Sequence, residues 1–412
     1  MITFALIGYG NRGMTYAAIL KEMGVPVCAV CDENAEKVEN ARVLLGLDSA
    51  HVFTDESAFF AAGKMADVLI VATRDRKHYG HATAALHLGY DLLLEKPIAC
   101  SVEECREIEQ LAESLGRTVF VCHVLRYAPF FSVLKSELDS GKYGRISTVN
   151  ITENVGYEHQ AHTYVRGNMR RADTSVPMII SKCCHDIDLI CWFMQDVCTA
   201  VSSFGSLRYF KRENAPEGSA ERCLDCQYMK TCPYSAYKHY VQKIIERGKP
   251  NWACYVVMPN PTAETMYEEL KTSRYGLCAF KCDNDSVDHQ VVNMQFAGGA
   301  TAHLTMTAFS DKCYREIHLH GEGGEIYGDM MENVLHCRIF GGESYDIDVN
   351  EATNSVSGHH GGGDYHLLRS VIEYYGGKVS PNLTSLARSM QSHYIGYAAE
   401  ESRKSGQTVH FE

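Results

Sequence analysis

Apolar segments alternate with segments of helical spacing throughout the first third of the chain. Residues 2–7 form a largely apolar run of the kind found in buried strands, and residues 14–23 have the spacing of a helix. The alternation continues with strands predicted at 25–31, 66–73, 91–94 and 118–123, and with helices predicted at 78–89 and 101–115. This rhythm predicts an α/β fold with a parallel, doubly wound sheet.

A glycine-rich turn joins the first predicted strand to the first predicted helix. It consists of Gly8, Tyr9, Gly10, Asn11, Arg12 and Gly13. In this setting the spacing is the dinucleotide fingerprint of a Rossmann fold: its glycines permit a tight turn, let backbone amides approach a pyrophosphate and let helix and strand pack closely. The helix N-terminus adds partial positive charge. We therefore predict a dinucleotide site here, the alternative being a turn with a purely structural role.

The second predicted strand ends at Asp32. A carboxylate at this position accepts hydrogen bonds from the ribose hydroxyls of the adenosine half. The same carboxylate repels a 2′-phosphate. The sequence therefore predicts NAD in preference to NADP.

Length and charge narrow the class of protein. A chain of 412 residues predicts two domains. The formal net charge of -12, from 51 acidic and 39 basic residues, argues against a nucleic-acid partner. No apolar run reaches the roughly 20 residues of a membrane helix, and no signal segment is recognisable, which predicts a cytoplasmic protein without a membrane partner. The 17 cysteines are expected to be reduced thiols or metal ligands.

A second motif, Leu94-Glu95-Lys96-Pro97, resembles the glucose-fructose oxidoreductase and inositol dehydrogenase family, usually called Gfo/Idh/MocA. The resemblance extends over nearly the whole chain, through the glycine turn, Ala72-Thr73 with His78, Arg126-Tyr127 with Pro129, residues 141–146, the helix around His185 and residues 321–324. It implies an NAD-binding Rossmann domain over residues 1–124. A C-terminal α/β domain with a large open, mostly antiparallel sheet then covers residues 125–412, and pairing into a homodimer or homotetramer is implied.

The resemblance also implies the chemistry, which is hydride transfer at a secondary hydroxyl of a sugar, a cyclitol or a sugar derivative. It adds Thr73, His78, Glu95 and Lys96 to the cofactor site and makes Lys96 catalytic. An ammonium at the carboxyl end of a strand can polarise the substrate oxygen. The alternative is a surface lysine paired with Glu95.

A predicted helix from about residue 181 to 194 carries His185, which matches the family histidine and is our proposed proton acceptor. Ser181 stands where relatives have an aspartate, so the usual Asp-His pair is replaced. Asp188 and Lys182 each lie one turn from His185, where the first could orient the imidazole and the second could add a cation. The alternative is a core histidine bound to a backbone carbonyl.

Hydroxyl-binding side chains are concentrated in residues 156–171, which predicts one rim of a carbohydrate pocket or, alternatively, a solvated loop. The predicted substrate contacts are Arg126, Tyr127, His159, His162, Tyr164, Arg166, Asn168, Ser181, Lys182 and, in the glycine-rich segment 358–364, His360.

An insertion at about 205–283 contains Cys223-Leu224-Asp225-Cys226 and Cys232. These three soft ligands suit a structural zinc or, as a second choice, an iron–sulfur cluster, with the fourth ligand among Cys254, Cys278 and Cys282. The alternative is a set of reduced thiols in a compact loop.

Three functions remain open at this point. The leading one is an NAD-dependent dehydrogenase. The second is an NAD-dependent glycosidase that oxidises C3 transiently, eliminates the aglycone and regenerates NAD, for which Tyr127, His159, His162 or Tyr164 could supply the additional base. The third is a non-catalytic redox sensor, against which the presence of both Lys96 and His185 argues.

Overall fold

The computed structural model describes residues 1–353 and 359–411, except for the side chains of His359 and His360. Its N-terminal part follows the predicted alternation. The elements are β1 (Phe4–Ile7), α1 (Asn11–Glu22), β2 (Val27–Cys31), α2 (Ala35–Leu45), β3 (Val52–Phe53), α3 (Glu56–Ala61), β4 (Val68–Val71), α4 (His78–His87), β5 (Asp91–Leu94), α5 (Val102–Leu115) and β6 (Val119–Val121).

These strands form a six-stranded, fully parallel sheet in the order β3-β2-β1-β4-β5-β6. Strands β1 and β4 are buried at every position, because helices cover both faces of the sheet. The predicted parallel, doubly wound sheet is therefore confirmed.

The second part of the chain is built around a larger sheet. Its elements are α6 (Pro129–Asp139), β7 (Ile146–Asn154), α7 (Tyr157–His159), α8 (Met178–Ser181), α9 (Cys184–Met194), β8 (Cys198–Ser206), α10 (Lys243–Arg247), α11 (Trp252–Val257), α12 (Ala263–Thr272), β9 (His289–Phe296), β10 (Thr301–Thr307), β11 (Tyr314–Gly321), β12 (Gly324–Asp329), β13 (Val334–Ile339), β14 (Ser344–Asp348), α13 (Val349–Thr353), α14 (Gly363–Tyr375), α15 (Leu386–Ser405) and β15 (Val409–His410). Shorter 3₁₀ turns lie at Ser49–His51, Asp75–Lys77, Val124–Tyr127, Arg212–Asn214, Cys223–Asp225, Arg274–Gly276 and His359–Gly362, and π-helical turns at Gln160–Arg166 and Tyr237–Gln242.

The nine strands of this sheet run in the order β14-β13-β12-β11-β7-β10-β9-β8-β15. All neighbouring pairs are antiparallel except β7 and β10, which confirms the mostly antiparallel sheet. Burial alternates along β9, β10 and β11, since one face packs in the core and the other is open. Helices α9 and α15 contribute Ile187, Ile190 and Ile395 to the core beneath the buried face.

The end of the chain returns to the parallel sheet. The Val121 N–H donates to the Thr384 carbonyl at 2.8 Å, and Phe120 forms an antiparallel bridge with Ser385. In α15 the His393 Nε2 accepts the Ile98 N–H at 2.9 Å. The C-terminal segment therefore pairs with the outer edge of β6 and connects the two sheets.

Two local features differ from the sequence prediction. The single helix expected from residue 181 to 194 is two helices, α8 and α9, separated at Lys182 and Cys183. Between β8 and β9 the insertion forms short helices and turns with a small apolar core of its own, which includes Tyr240, Met266 and Leu270. Over the described ranges, none of the helices is both long and apolar enough to cross a lipid bilayer.

Candidate active site

The glycine turn has the geometry of a pyrophosphate cradle. Gly8 has φ +92°, and a Cβ there would lie 2.5 Å from the Ala72 carbonyl oxygen. A Cβ on Gly13 would lie 2.0 Å from the Gly8 carbonyl oxygen, so both positions exclude any side chain. In contrast, nothing lies within 4 Å of a Cβ built on Gly10. The turn is therefore packed on its inner side and open at its centre, which is where a phosphate would approach.

Backbone donors and a fixed carboxylate flank this opening. Helix α1 begins at Asn11 with no side-chain cap, so the N–H groups of its first turn are left for a ligand. At the end of β2, Asp32 accepts hydrogen bonds from the Tyr9 N–H at 2.7 Å and the Asn34 N–H at 3.0 Å. The Asp32 carboxylate is thus held beside the glycine turn, and these residues fit a dinucleotide.

Arg12 points beneath the turn into a buried charged network. Its Nε donates to Glu95 at 2.7 Å, its guanidinium binds Asp364 at 2.5 Å, and Tyr16 donates to Glu95 at 2.6 Å. Burial opposes ionisation of Glu95, but the Arg12 and Lys96 charges leave its pKa below its ordinary value. The predicted cofactor residues Arg12 and Glu95 therefore lock the turn to the end of β5 and to the start of α14.

The other predicted cofactor residues lie on the neighbouring loop. Thr73 follows β4 directly behind Gly8, and its hydroxyl lies 3.0 Å from the His81 ring. The His78 ring nitrogens lie 2.6 Å from the Pro97 carbonyl oxygen and 3.1 Å from that of Thr73. His78 therefore joins this loop to the turn that follows Lys96.

Lys96 reaches across to the second domain. Its ammonium donates to the Ser181 carbonyl at 2.7 Å, at the end of α8. His185 is buried at the start of α9, and its ring centroid lies 5.8 Å from that of His123. Burial and the Arg126 and Lys96 charges lower the pKa of His123. The structure thus brings the two predicted catalytic residues to one region between the domains.

Two buried ion-pair groups support this region. Arg126 binds both oxygens of Asp188, the candidate partner for His185, at 2.6 Å.

In the second group, Glu153 is fully buried and lies 3.1 Å from Lys182 and 2.7 Å from Arg315, which also binds Asp186 at 2.7 Å. Glu153 therefore compensates the charge of Lys182. Burial raises the pKa of Asp186 to about 6, although the Arg315 charge opposes the increase.

Family models match both halves of this architecture. An "oxidoreductase family, NAD-binding Rossmann fold" model matches residues 2–123, and an "oxidoreductase family, C-terminal alpha/beta domain" model matches residues 135–411. The chain belongs to the Gfo/Idh/MocA family. It is thus an oxidoreductase with an NAD-binding Rossmann domain.

Individual members of the Gfo/Idh/MocA family resemble the chain at lower identity. The oxidoreductase YteT of Bacillus subtilis is 25% identical over 319 residues, covering 74% of this chain and 72% of YteT. The inositol 2-dehydrogenase of Pseudomonas savastanoi pv. phaseolicola is 30% identical over 200 residues, covering 47% of this chain and 55% of that enzyme. A levoglucosan dehydrogenase solved with NADH and levoglucosan superposes with a TM-score of 0.72 at 17% identity and covers 99% of both chains.

The residues predicted to form the pocket rim of this Gfo/Idh/MocA protein do not all lie together. His159 and His162 line a cavity of about 260 Å³, together with Tyr240 and Trp252 from the insertion. The rings of Trp252 lie 5.2 Å from His159 and 4.9 Å from His162. Burial lowers the pKa of His159, and the nearby positive charges, that of Lys182 first, lower it further.

The remaining predicted substrate residues lie outside this cavity. Arg166 is buried against the insertion, where it donates to the carbonyls of Leu277 and Tyr234 at 2.7 Å. Tyr164 is buried in the core, Asn168 is exposed, and the Tyr127 hydroxyl is buried beside Thr384. His360 was also predicted to contact the substrate, and its side chain is outside the part of the chain that the structure describes.

Sequence reasoning did not identify Trp252, Glu153 or Arg315. Trp252 begins a six-residue helix, α11, capped by Asn251, and no motif surrounds it. Glu153 lies near the end of β7 on the same face as buried Val149 and Ile151, but nothing in the sequence indicates the two cations that pair with its carboxylate. A charged residue at an inward position of β7 is the signal that could have identified Glu153.

Proposed function

We propose that this protein is an NAD-dependent dehydrogenase acting on a secondary hydroxyl of a sugar, cyclitol or sugar derivative. One observation carries the proposal, namely the Lys96 ammonium at the Ser181 carbonyl, one turn before His185. Lys96 follows the carboxyl end of β5, the edge where ligands of open α/β sheets bind.

Lys96 and His185 have different roles at the substrate hydroxyl. Lys96 donates a hydrogen bond to the hydroxyl oxygen and stabilises the negative charge that develops as its proton leaves. His185 accepts that proton. Bound NAD supplies the acceptor for the hydride from the carbon. Burial of His185 and of the ion pairs beneath it excludes water from the reacting atoms.

The cavity beside His159 supports a sugar-like substrate. Its walls combine imidazole and tyrosine groups, which bind hydroxyls, with the Trp252 ring, which can pack against the apolar face of a sugar ring. Relatives named inositol 2-dehydrogenase and levoglucosan dehydrogenase act on compounds of this class.

The glycosidase alternative is favoured by one feature, the imidazole-rich cavity in which His159 or His162 could act as an additional base. A glycoside with a chromogenic leaving group separates the two reactions. We expect NADH to accumulate mole for mole with oxidised sugar and no aglycone to be released. Many aglycones released per NAD without net NADH would overturn the dehydrogenase and establish the glycosidase.

We expect Asp32→Ala to weaken NAD binding and erode discrimination against NADP, because the ribose hydroxyls lose their acceptor. Loss of a charged hydrogen-bond partner predicts a decrease in NAD affinity of roughly 10-fold or more. Titration of both cofactors by fluorescence measures the effect. Glu33→Ala, one residue further along, provides the control. An unchanged preference in Asp32→Ala would remove Asp32 from the cofactor site.

We also propose a boundary between a domain at 1–124 and one at 125–412, a metal centre that braces the insertion, a cytoplasmic location and a homodimer or homotetramer. The open face of the nine-stranded sheet, with half-exposed His318, Tyr327 and His336, supports the oligomer. Sedimentation at the mass of a single chain would contradict it.

A further inference from the structure

Two histidines and a glutamate lie together on the open face of the nine-stranded sheet. His318 and His320 are two positions apart on β11, so their side chains leave the same face. The residues that alternate with them, Ile317 and Leu319, pack in the core on the other face. Glu325 lies opposite His320 on the neighbouring strand β12. The strand geometry and the pairing register therefore bring three metal-binding side chains together.

The distances between the ligand atoms suit a single ion. His318 Nε2 lies 2.9 Å and His320 Nδ1 lies 3.5 Å from the same Glu325 oxygen, Oε2. The two ring centroids are 3.9 Å apart, and the three ligand atoms all lie within 4.8 Å of one another. Zinc bonds of about 2.0–2.2 Å at tetrahedral angles place ligand atoms roughly 3.3 Å apart. The group therefore has close to the spacing that one zinc ion requires.

The chemistry of the three side chains favours a transition-metal ion over an ordinary ion pair. An ion pair with Glu325 needs one imidazole, whereas here two imidazole nitrogens face one carboxylate oxygen. Two imidazoles and a carboxylate are a ligand set of zinc sites that keep an open position. Because Mg²⁺ and Ca²⁺ prefer oxygen ligands, the two nitrogens argue against either of these ions.

The neighbouring strands leave the three ligands accessible. On β7, the positions opposite the two histidines are Thr148 and Asn150, which carry no charge. On β13, Arg338 lies opposite Glu325, but its guanidinium binds Asp346 at 2.8 Å. The three side chains are between 31% and 41% exposed, so an ion can reach them from solvent while the sheet covers their inner side.

We propose that His318, His320 and Glu325 bind one Zn²⁺ ion on the open face of the sheet. Three protein ligands leave at least one position on a tetrahedral ion. His318 borders a cavity of about 390 Å³, in which a water molecule can fill that position. All three ligands belong to the hairpin of β11 and β12, whose strands are joined by residues 322–323, so one chain forms the site by itself. The ion links these two strands and lies apart from the thiols of the insertion.

Zinc binding by the full chain, prepared without metal and without a histidine tag, tests the site. Equilibrium dialysis should show one more tightly bound Zn²⁺ per chain in the wild type than in His320→Ala. The thiols of the insertion contribute equally to both proteins, so the difference between them measures this site. Glu325→Gln should weaken this binding at least about 10-fold, since loss of a direct ligand costs at least as much as loss of a side chain that only orients one.

His303 provides a matched control. It lies on the same face of the sheet, on β10, between the core residues Ala302 and Leu304. Its ring nitrogens lie 2.8 Å from the uncharged side chains of Asn293 and Thr305. His303→Ala should therefore bind as many zinc ions as the wild type. NAD titration checks that each variant is folded.

A titration with Co²⁺ identifies the ligand atoms. Cobalt at this site should give visible absorption bands that His320→Ala lacks, without the near-ultraviolet charge transfer of thiolate ligands. Equal zinc stoichiometry and affinity in the wild type and His320→Ala would overturn the site, and so would thiolate charge transfer in the difference spectrum. Neither result bears on the dehydrogenase, because Lys96 and His185 lie on other elements.

Discussion

Replacing Lys96 by methionine should reduce turnover by at least about 10²–10³-fold while NAD affinity stays within about twofold. Methionine retains much of the side-chain volume but cannot donate to the substrate oxygen or to the Ser181 carbonyl. Steady-state kinetics with a substrate of the wild-type enzyme, together with NAD titration, measures both quantities. His185→Ala should lose roughly 100-fold in kcat as the proton acceptor disappears.

A matched control is available in the same domain. Lys64 is an exposed lysine whose ammonium also donates to a backbone carbonyl, that of Gly89 at 2.7 Å. Lys64→Met should therefore leave kcat unchanged. If Lys96→Met retained near-normal kcat, Lys96 would have no catalytic role and the proposed reaction would lose its central residue.

The second large effect concerns stability. Glu153→Gln keeps the shape of the side chain but leaves Lys182 and Arg315 buried with only Asp186 as a counter-charge. Removing one partner from a buried ion-pair group costs about 3–5 kcal/mol. We expect the free energy of unfolding to decrease by this amount in a urea titration, with kcat also reduced because Lys182 and α9 lose their anchor.

Glu322→Gln provides the comparison, because Glu322 pairs with Arg145 at 2.8 Å with both side chains more than half exposed. An exposed pair contributes about 0–1 kcal/mol, so the change in unfolding free energy should be small. Equal decreases in unfolding free energy in the two variants would show that burial does not strengthen the contribution of the Glu153 ion pairs to stability.

The Rossmann half was predictable because its determinants are local in sequence. Apolar strands, the glycine turn and Asp32 lie within the first 32 residues, and each follows directly from its neighbours. The positions of Lys96 and His185 came from a family resemblance, and the structure places them in one region. The break between α8 and α9 was not predicted, since no glycine or proline marks the chain at Lys182 and Cys183.

The rest of the site depends on contacts between distant parts of the chain. Arg12 is 352 positions from Asp364, and Glu153 acts through Arg315 on another strand. Sequence spacing contains no information about such pairs. For the same reason, the sequence did not show which of Cys254, Cys278 and Cys282 lies beside the other three thiols, whereas the structure places Cys278 in the same cavity wall.

The strand-like contact between β6 and the C-terminal segment also affects how the protein can be divided. The Thr384 carbonyl and the bridge from Ser385 occupy hydrogen-bonding positions along the edge of β6. A fragment ending at residue 124 would leave that edge unpaired, and unpaired edges of apolar strands promote aggregation between molecules. The Rossmann domain is therefore not expected to remain soluble when it is produced alone. A truncated version would need to keep a short peptide around residues 384–385 that pairs with β6.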